Sequence, residues 1–239
     1  MQINASGLDF ATLNNAIRAA GDECHITGCL GQRFIAAGMS GKVITIDGVP
    51  GNAMGAYLDG GEITVRGNAQ DAVGDTMNDG RIVIHGNVGD AVGYAMRGGE
   101  IYIRGNAGYR AGIHMKAYHE KQPAIVIGGR AGSFLGEYQA GGLILVLGLN
   151  HDGKPPVSNF PCTGMHGGIM VVRGGAEGIV FPRQVRVRPA GDADMERVAP
   201  YIKSYCKYFG GDAAALLADN YTVISPDSSN PYKQMYVAD

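Results

Sequence analysis

Glycine recurs at fixed spacing through most of this chain, and that spacing constrains the fold more than any other feature of the sequence. From Gly67 the residues run GNAQDAVGDTMNDGRIVIH, from Gly86 GNVGDAVGYAMRGGEIYIR and from Gly105 GNAGYRAGIHM, a period of 19 residues. Counting the first glycine as zero, glycine returns at plus 7 (Gly74, Gly93, Gly112) and plus 13 (Gly80, Gly99), with methionine at plus 10 (Met77, Met96, Met115). Gly28, Gly48 and Gly129 open further coils in looser phase, and a last one closes on Gly167 to Arg173. The pattern predicts about seven coils, with insertions at 116–122 and 150–162. Repeat periods of this kind belong to architectures in which each unit packs only on its neighbours.

Each coil ends in a short run of β-branched residues held in one phase: Ile63-Thr64-Val65, Ile82-Val83-Ile84, Ile101-Tyr102-Ile103, Ile125-Val126-Ile127 and Ile144-Leu145-Val146. Such runs, bounded by glycine, are strands. No helical stripe fits between the glycines, so helical repeats are excluded. One short strand cannot bury its inner face alone; stacking equivalent strands in parallel does. The expected fold is therefore all-β: a single-stranded, right-handed parallel β-helix (a β-solenoid) with short capping helices at both ends. Alternation along each strand sends Ile44/Ile46, Ile63/Val65, Ile82/Ile84, Ile101/Ile103, Ile125/Ile127, Ile144/Val146 and Met170/Val172 inward. Between them runs an outward column of Thr45, Thr64, Val83, Tyr102, Val126, Leu145 and Val171. The later members are apolar, so either a C-terminal helix or a partner chain must cover them. Glycine at the corners suits positive φ or close backbone approach. Asn68, Asn87 and Asn106 lie in register, as an amide ladder or as residues tolerant of the left-handed conformation.

The ends differ from the coils. A short helix is expected over 9–18, another over 194–208 with Met195, Val198, Ile202, Tyr205 and Phe209 on one stripe, then a short helix over 212–219 and a strand over 221–224. This divides the chain into an N-terminal cap over 1–27, the β-helix over 28–190 and a C-terminal helical cap and tail over 191–239. The caps cover sheet edges that would otherwise invite aggregation.

Composition matters here chiefly for what it excludes. A net charge of −2 argues against a nucleic-acid partner. No apolar stretch has the length of a signal peptide or membrane span, so a cytoplasmic protein with no membrane association is expected. Cys24, Cys29, Cys162 and Cys206 form no C-x-x-C pair, which gives no indication of a zinc or iron–sulfur site.

No motif for chemistry emerges. Gly128-Gly129-Arg130-Ala131-Gly132 resembles a phosphate loop in composition, but no helix follows it to receive a phosphate. His25, His85, His114, His119, His151 and His166 are scattered, with no H-E-x-x-H among them. Catalytic, cofactor-binding and metal-binding residues are expected to be absent. Candidate partner-contact positions are Val83, Tyr102, Val126 and Leu145 on the outward column, and Lys116, Tyr118 and His119 on the polar insertion, since solenoid insertions commonly project as contact loops.

The serial G-N-A-x-D-A-x-G-x-x-M-x-x-G-x-I-x-I-x-G coils resemble the GXGXG domain, the β-helix at the C-terminal end of the glutamate synthase large subunit. The run Ile127 to Tyr138, followed by Gly141 to Gly148, looks like that family's core. Asn230-Pro231-Tyr232-Lys233 resembles the stand-alone version found as a separate subunit in some archaea and anaerobic bacteria. The resemblance implies a scaffold within a complex that makes glutamate from glutamine and 2-oxoglutarate. Its partners would be a glutamine amidotransferase subunit and an FMN-binding synthase subunit, and FMN and the iron–sulfur cluster would reside there. The family's β-helix carries no catalytic residues, so none transfers to a position here. An amidotransferase nucleophile would be an N-terminal cysteine, whereas this chain begins Met1-Gln2-Ile3. Similar coils occur in the β-helix subunit of formylmethanofuran dehydrogenase and in the middle subunit of N-methylglutamate synthase, which are the alternative assignments. In isolation, self-association through an apolar face is expected.

Overall fold

A computed structural model describes residues 1–150 and 152–227; His151 and the Asn230 to Lys233 segment lie outside the described residues. Strands β1 (Gln2–Asn4), β2 (Glu23–Leu30), β3 (Val43–Val49), β4 (Asp59–Val65), β5 (Asp79–Ile84), β6 (Glu100–Ile103), β7 (Ala124–Ile127), β8 (Ala140–Val146) and β9 (Gly167–Arg173) pair in parallel, each with the next. The result is an all-β parallel solenoid of about eight turns. Register follows the repeat: Ile63 pairs with Ile82, Ile82 with Ile101, and Ile101 with Ile125. A second ladder of single-residue bridges links Ala69, Val88, Ala107, Ala131 and Val157 on another side of the coil.

The predicted inward column fills the core. Every one of its members from Ile44 to Val172 is at most 1% exposed, and the three methionines at plus 10 are fully buried beside them. Glycine serves two different purposes around this core. At plus 7, Gly74 holds φ +67 and an added Cβ would come within 2.6 Å of Ile101 Cδ1 in the coil two strands on. At position zero, Gly86 has ordinary φ, but a Cβ there would overlap Asn68 Oδ1. That oxygen accepts the Asn87 backbone N–H at 2.8 Å, and Asn87 Oδ1 accepts from Asn106 in turn. The asparagines thus form a side-chain-to-backbone ladder. None of the three has positive φ, so left-handed tolerance is not their purpose.

The ends depart from simple helical caps. Helix α1 (Phe10–Ala19), N-capped by Asp9 accepting from Thr12 N–H, drives Leu13 and Ile17 into the base of the inner core. The parallel sheet begins before residue 28, because β1 and the start of β2 already pair. At the far end β11 (Tyr221–Pro226) pairs antiparallel with β9, and β10 (Val185–Pro189) pairs antiparallel with β11 as the outer strand. Strands, not helices, close that end of the sheet. Arg186, Arg188 and Pro189 on the outer strand are the kind of residues that discourage edge pairing. Helix α2 (Asp192–Phe209) instead lies across the outer face of the sheet, with α3 (Ala213–Leu217) beside it.

Candidate functional site

Three places bear on function: the outward column, the first insertion, and clefts at the C-terminal end of the solenoid. On the column, alternation puts Val83, Tyr102, Val126, Leu145 and Val171 on the outer face, yet all are at most 1% exposed. A second hydrophobic core unites Tyr102, Val126, Leu145 and Val171 with Val198, Ile202 and Tyr205 of α2 and with Tyr221 and Val223 of β11. Tyr205 Oη donates to the Arg104 carbonyl at 3.1 Å, and it sits where a Cβ on Gly128 would be. Burial pushes the Tyr205 phenol up to about 12. Of the expected contact positions, then, Tyr102, Val126 and Leu145 are buried against the chain's own C-terminal segment, and Val83 is buried as well. The reason is area: an apolar stripe several strands long is closed most simply by the amphipathic helix attached to it.

Where α2 ends, the covered face gives way to charge. Arg81 donates through Nε and Nη2 to Glu100 Oε2, both at 3.1 Å, and lies 3.6 Å from Glu62. Tyr102 Oη donates to the same Glu100 oxygen at 3.0 Å. His25 and Asp47 meet at 2.6 Å further along the uncovered strands. His85 packs edge-on to Phe209, and burial first, then Arg104 and Arg66, hold its imidazole below the ordinary value. These are paired groups on a sheet surface, with no nucleophile beside a base.

The insertion 116–122 is mostly exposed and is tied back to the coils. Tyr118 and Lys121 form an antiparallel bridge, and Lys121 reaches back to Asp59 at 3.3 Å and Asp79 at 3.0 Å. The segment is a brace across earlier coils. Lys116, Tyr118 and His119 are exposed on it, with Tyr118 and His119 in edge-to-face contact. His114 is held apart from them, stacked on Tyr138.

The second insertion builds a cleft of about 380 Å³ with Leu147, Lys154, Arg173, Glu177, Asp219 and Asn220 on its walls. No sequence pattern hints at it, because its walls come from segments far apart in the chain. Two of its charges are paired: Arg173 Nε donates to Asp219 at 2.6 Å. Three of the four cysteines are buried, and burial raises Cys29 to about 11 and Cys162 further still. Among the described residues no group of three or more His, Cys, Asp or Glu is placed to hold a metal ion. No helix among them is long and apolar enough to cross a membrane.

Taken together, the geometry defines a glycine-cornered β-solenoid with its own helix laid over one face. The chain belongs to the GXGXG motif family, which it matches over residues 8–229. It is 43% identical over 218 residues to an uncharacterized protein of Methanocaldococcus jannaschii, covering 88% of this chain and 84% of that one. Its fold matches a chain of the formyltransferase/hydrolase complex FhcABCD from Methylorubrum extorquens, solved with methylofuran. The TM-score is 0.67 at 21% identity, covering 87% of this chain and 74% of that chain.

Proposed function

We propose that this chain is a non-catalytic scaffold subunit of a glutamate synthase-type complex, joining an amidotransferase subunit to an FMN- and iron–sulfur-bearing synthase subunit. The observation that carries the reading is a coil of the GXGXG family with two extensive hydrophobic cores and, among the described residues, no cluster of three or more His, Cys, Asp or Glu placed to hold a metal. Such a chain has the rigidity of a spacer. The partners supply the flavin and the cluster, and this chain supplies geometry.

A second reading has a specific observation behind it. The likeness in fold to a chain of a formyltransferase/hydrolase complex supports a place in a formylmethanofuran dehydrogenase-type assembly, with the same scaffold serving different chemistry. A middle subunit of N-methylglutamate synthase is a third placement within the same family. All three share the expectation of partner subunits.

The experiment is affinity purification of the full-length tagged chain from its native cells, followed by mass spectrometry of what co-elutes. Amidotransferase and flavoprotein subunits in fixed ratio support the first reading, and formyltransferase or pterin-enzyme subunits transfer support to the second. Recovery of the chain with neither set, at concentrations where solenoid subunits associate, overturns both.

A further inference from the structure

Beside the C-terminal end of α2, one row of side chains carries charge that the chain does not match. Arg66, His85 and Arg104 follow β4, β5 and β6 at a single position of the repeat. Their backbone N–H groups donate to the Ile46, Val65 and Ile84 carbonyls of the preceding coils, each at 2.9 Å. The residue before each one, Val65, Ile84 or Ile103, lies in the inner core, so all three point to the outer face. With coils about 4.8 Å apart, the row is about 10 Å long. Phe209, the last residue of α2, packs edge-on against His85 at 5.1 Å and walls the row on one side.

Little nearby answers this charge. Arg104 is exposed and, among the described residues, makes no ion pair. The Arg66 side chain is 62% exposed, and its one ion pair is long, 3.6 Å to Asp47. Asp47 is itself held by His25 at 2.6 Å. Asp212, just beyond Gly210 and Gly211, already accepts from the Ala214 and Ala215 N–H groups. Both arginines bear on His85 and, after burial, hold its imidazole below the ordinary value. The opposite ends of the same strands make the contrast, since Arg81 there is bonded to Glu100 through two nitrogens. Two guanidinium groups flanking a half-buried imidazole oppose one another's charge, and an anion laid along them relieves it.

We propose that this row docks an acidic segment of a partner protein, whose carboxylates lie along Arg66, His85 and Arg104 with Phe209 at their side. Guanidinium groups take carboxylates through paired, charge-assisted hydrogen bonds, and unmatched surface cations steer an acidic partner and fix its register. The length of the row selects a segment bearing several carboxylates over a small anion, which reaches two of its members at most. The net charge of −2 selects a short acidic segment over a nucleic acid, whose long run of phosphates the chain repels. The proposal rests on the scaffold reading for the existence of a partner; its test does not.

The test uses the isolated full-length chain and a fluorescently labelled hexa-aspartate peptide, followed by anisotropy. The wild type is expected to bind saturably at low ionic strength and to lose affinity between about 20 and 150 mM salt as screening grows. Arg66→Glu combined with Arg104→Glu should weaken binding roughly tenfold or more. Arg18→Glu combined with Arg97→Glu changes the net charge equally at exposed arginines elsewhere, and should leave affinity within about twofold. Thermal midpoints of both double variants show that the fold persists. A wild type that does not bind overturns the proposal, as does equal loss in the two double variants. So does a thymidine hexanucleotide that binds as tightly as the peptide, or inorganic phosphate that displaces the peptide at matched charge. Peptide binding through the row with no co-purifying subunit supports the acidic-segment site and counts against the scaffold reading; co-purifying subunits without peptide binding do the reverse.

Discussion

At the scale of single residues, glycine and asparagine carry the geometry that lets coils stack. Gly74 has positive φ and faces Ile101 Cδ1, so Gly74→Ala meets strain and overlap together. The expected cost is about 1–3 kcal/mol, measured as a lowered denaturant midpoint with unchanged slope. Thiol chemistry reports packing at the same scale. Cys162 is fully buried, with its thiol pushed up by that burial, while Cys206 is half-buried on α2. Native protein should react with a thiol reagent at Cys206 first, and at Cys162 only on the unfolding timescale; equal rates would contradict the packing described. The repeat made the plus-7 glycines readable, since they recur every 19 residues at a constant distance from methionine. It gave no warning of left-handed backbone at Phe134 or Tyr138, because nothing in a bulky residue type announces positive φ.

Elements show where local pattern was enough and where it fell short. The stripe on α2 was readable from its 3.6-residue spacing, and so was its apolar target on the sheet. That the helix covers this target follows from chain length and direction after β10, which local pattern does not encode. Ile202 is fully buried in the interface between α2 and the sheet. Ile202→Ala should therefore cost about 2–5 kcal/mol and raise binding of a hydrophobic dye as the outer face opens; a change below about 1 kcal/mol would show that α2 is not integral to the fold. The brace offers a contrast. Lys121 lies between Asp59 and Asp79 in water, so Lys121→Ala should lower the thermal midpoint far less than Ile202→Ala and lose its effect at high salt. The insertion was expected as a projecting loop because its polarity and length were visible, whereas its ion pairs to residues some 40 to 60 positions earlier were not.

For the whole molecule, stability is shared between an inner core running the length of the solenoid and an outer one under α2. Ion pairs between elements make it depend on acidity. The Arg188 guanidinium bonded to Asp194, and the Lys121 ammonium bonded to Asp79, hold these carboxyls below the ordinary value of 3.8. Depressed folded-state values mean that their contribution is complete above the ordinary value and is lost as pH falls through the lowered one. Thermal midpoints should thus be level from neutrality down to about pH 4 and decline below it; a decline beginning near pH 6 would point to histidine instead.

Amino-acid order alone dictates the coil: its period, its parallel register and both faces of its strands. These follow from nearest-neighbour stacking, in which every coil repeats the same short-range problem and solves it with the same residues. What lies on the outside is settled by the assembled chain: α2 closes the apolar column, β11 and β10 finish the sheet antiparallel, and Lys121 folds its insertion back along the coils. Those contacts join segments far apart in the chain. Their choice depends on competing areas and directions that become comparable only once the solenoid exists to be covered.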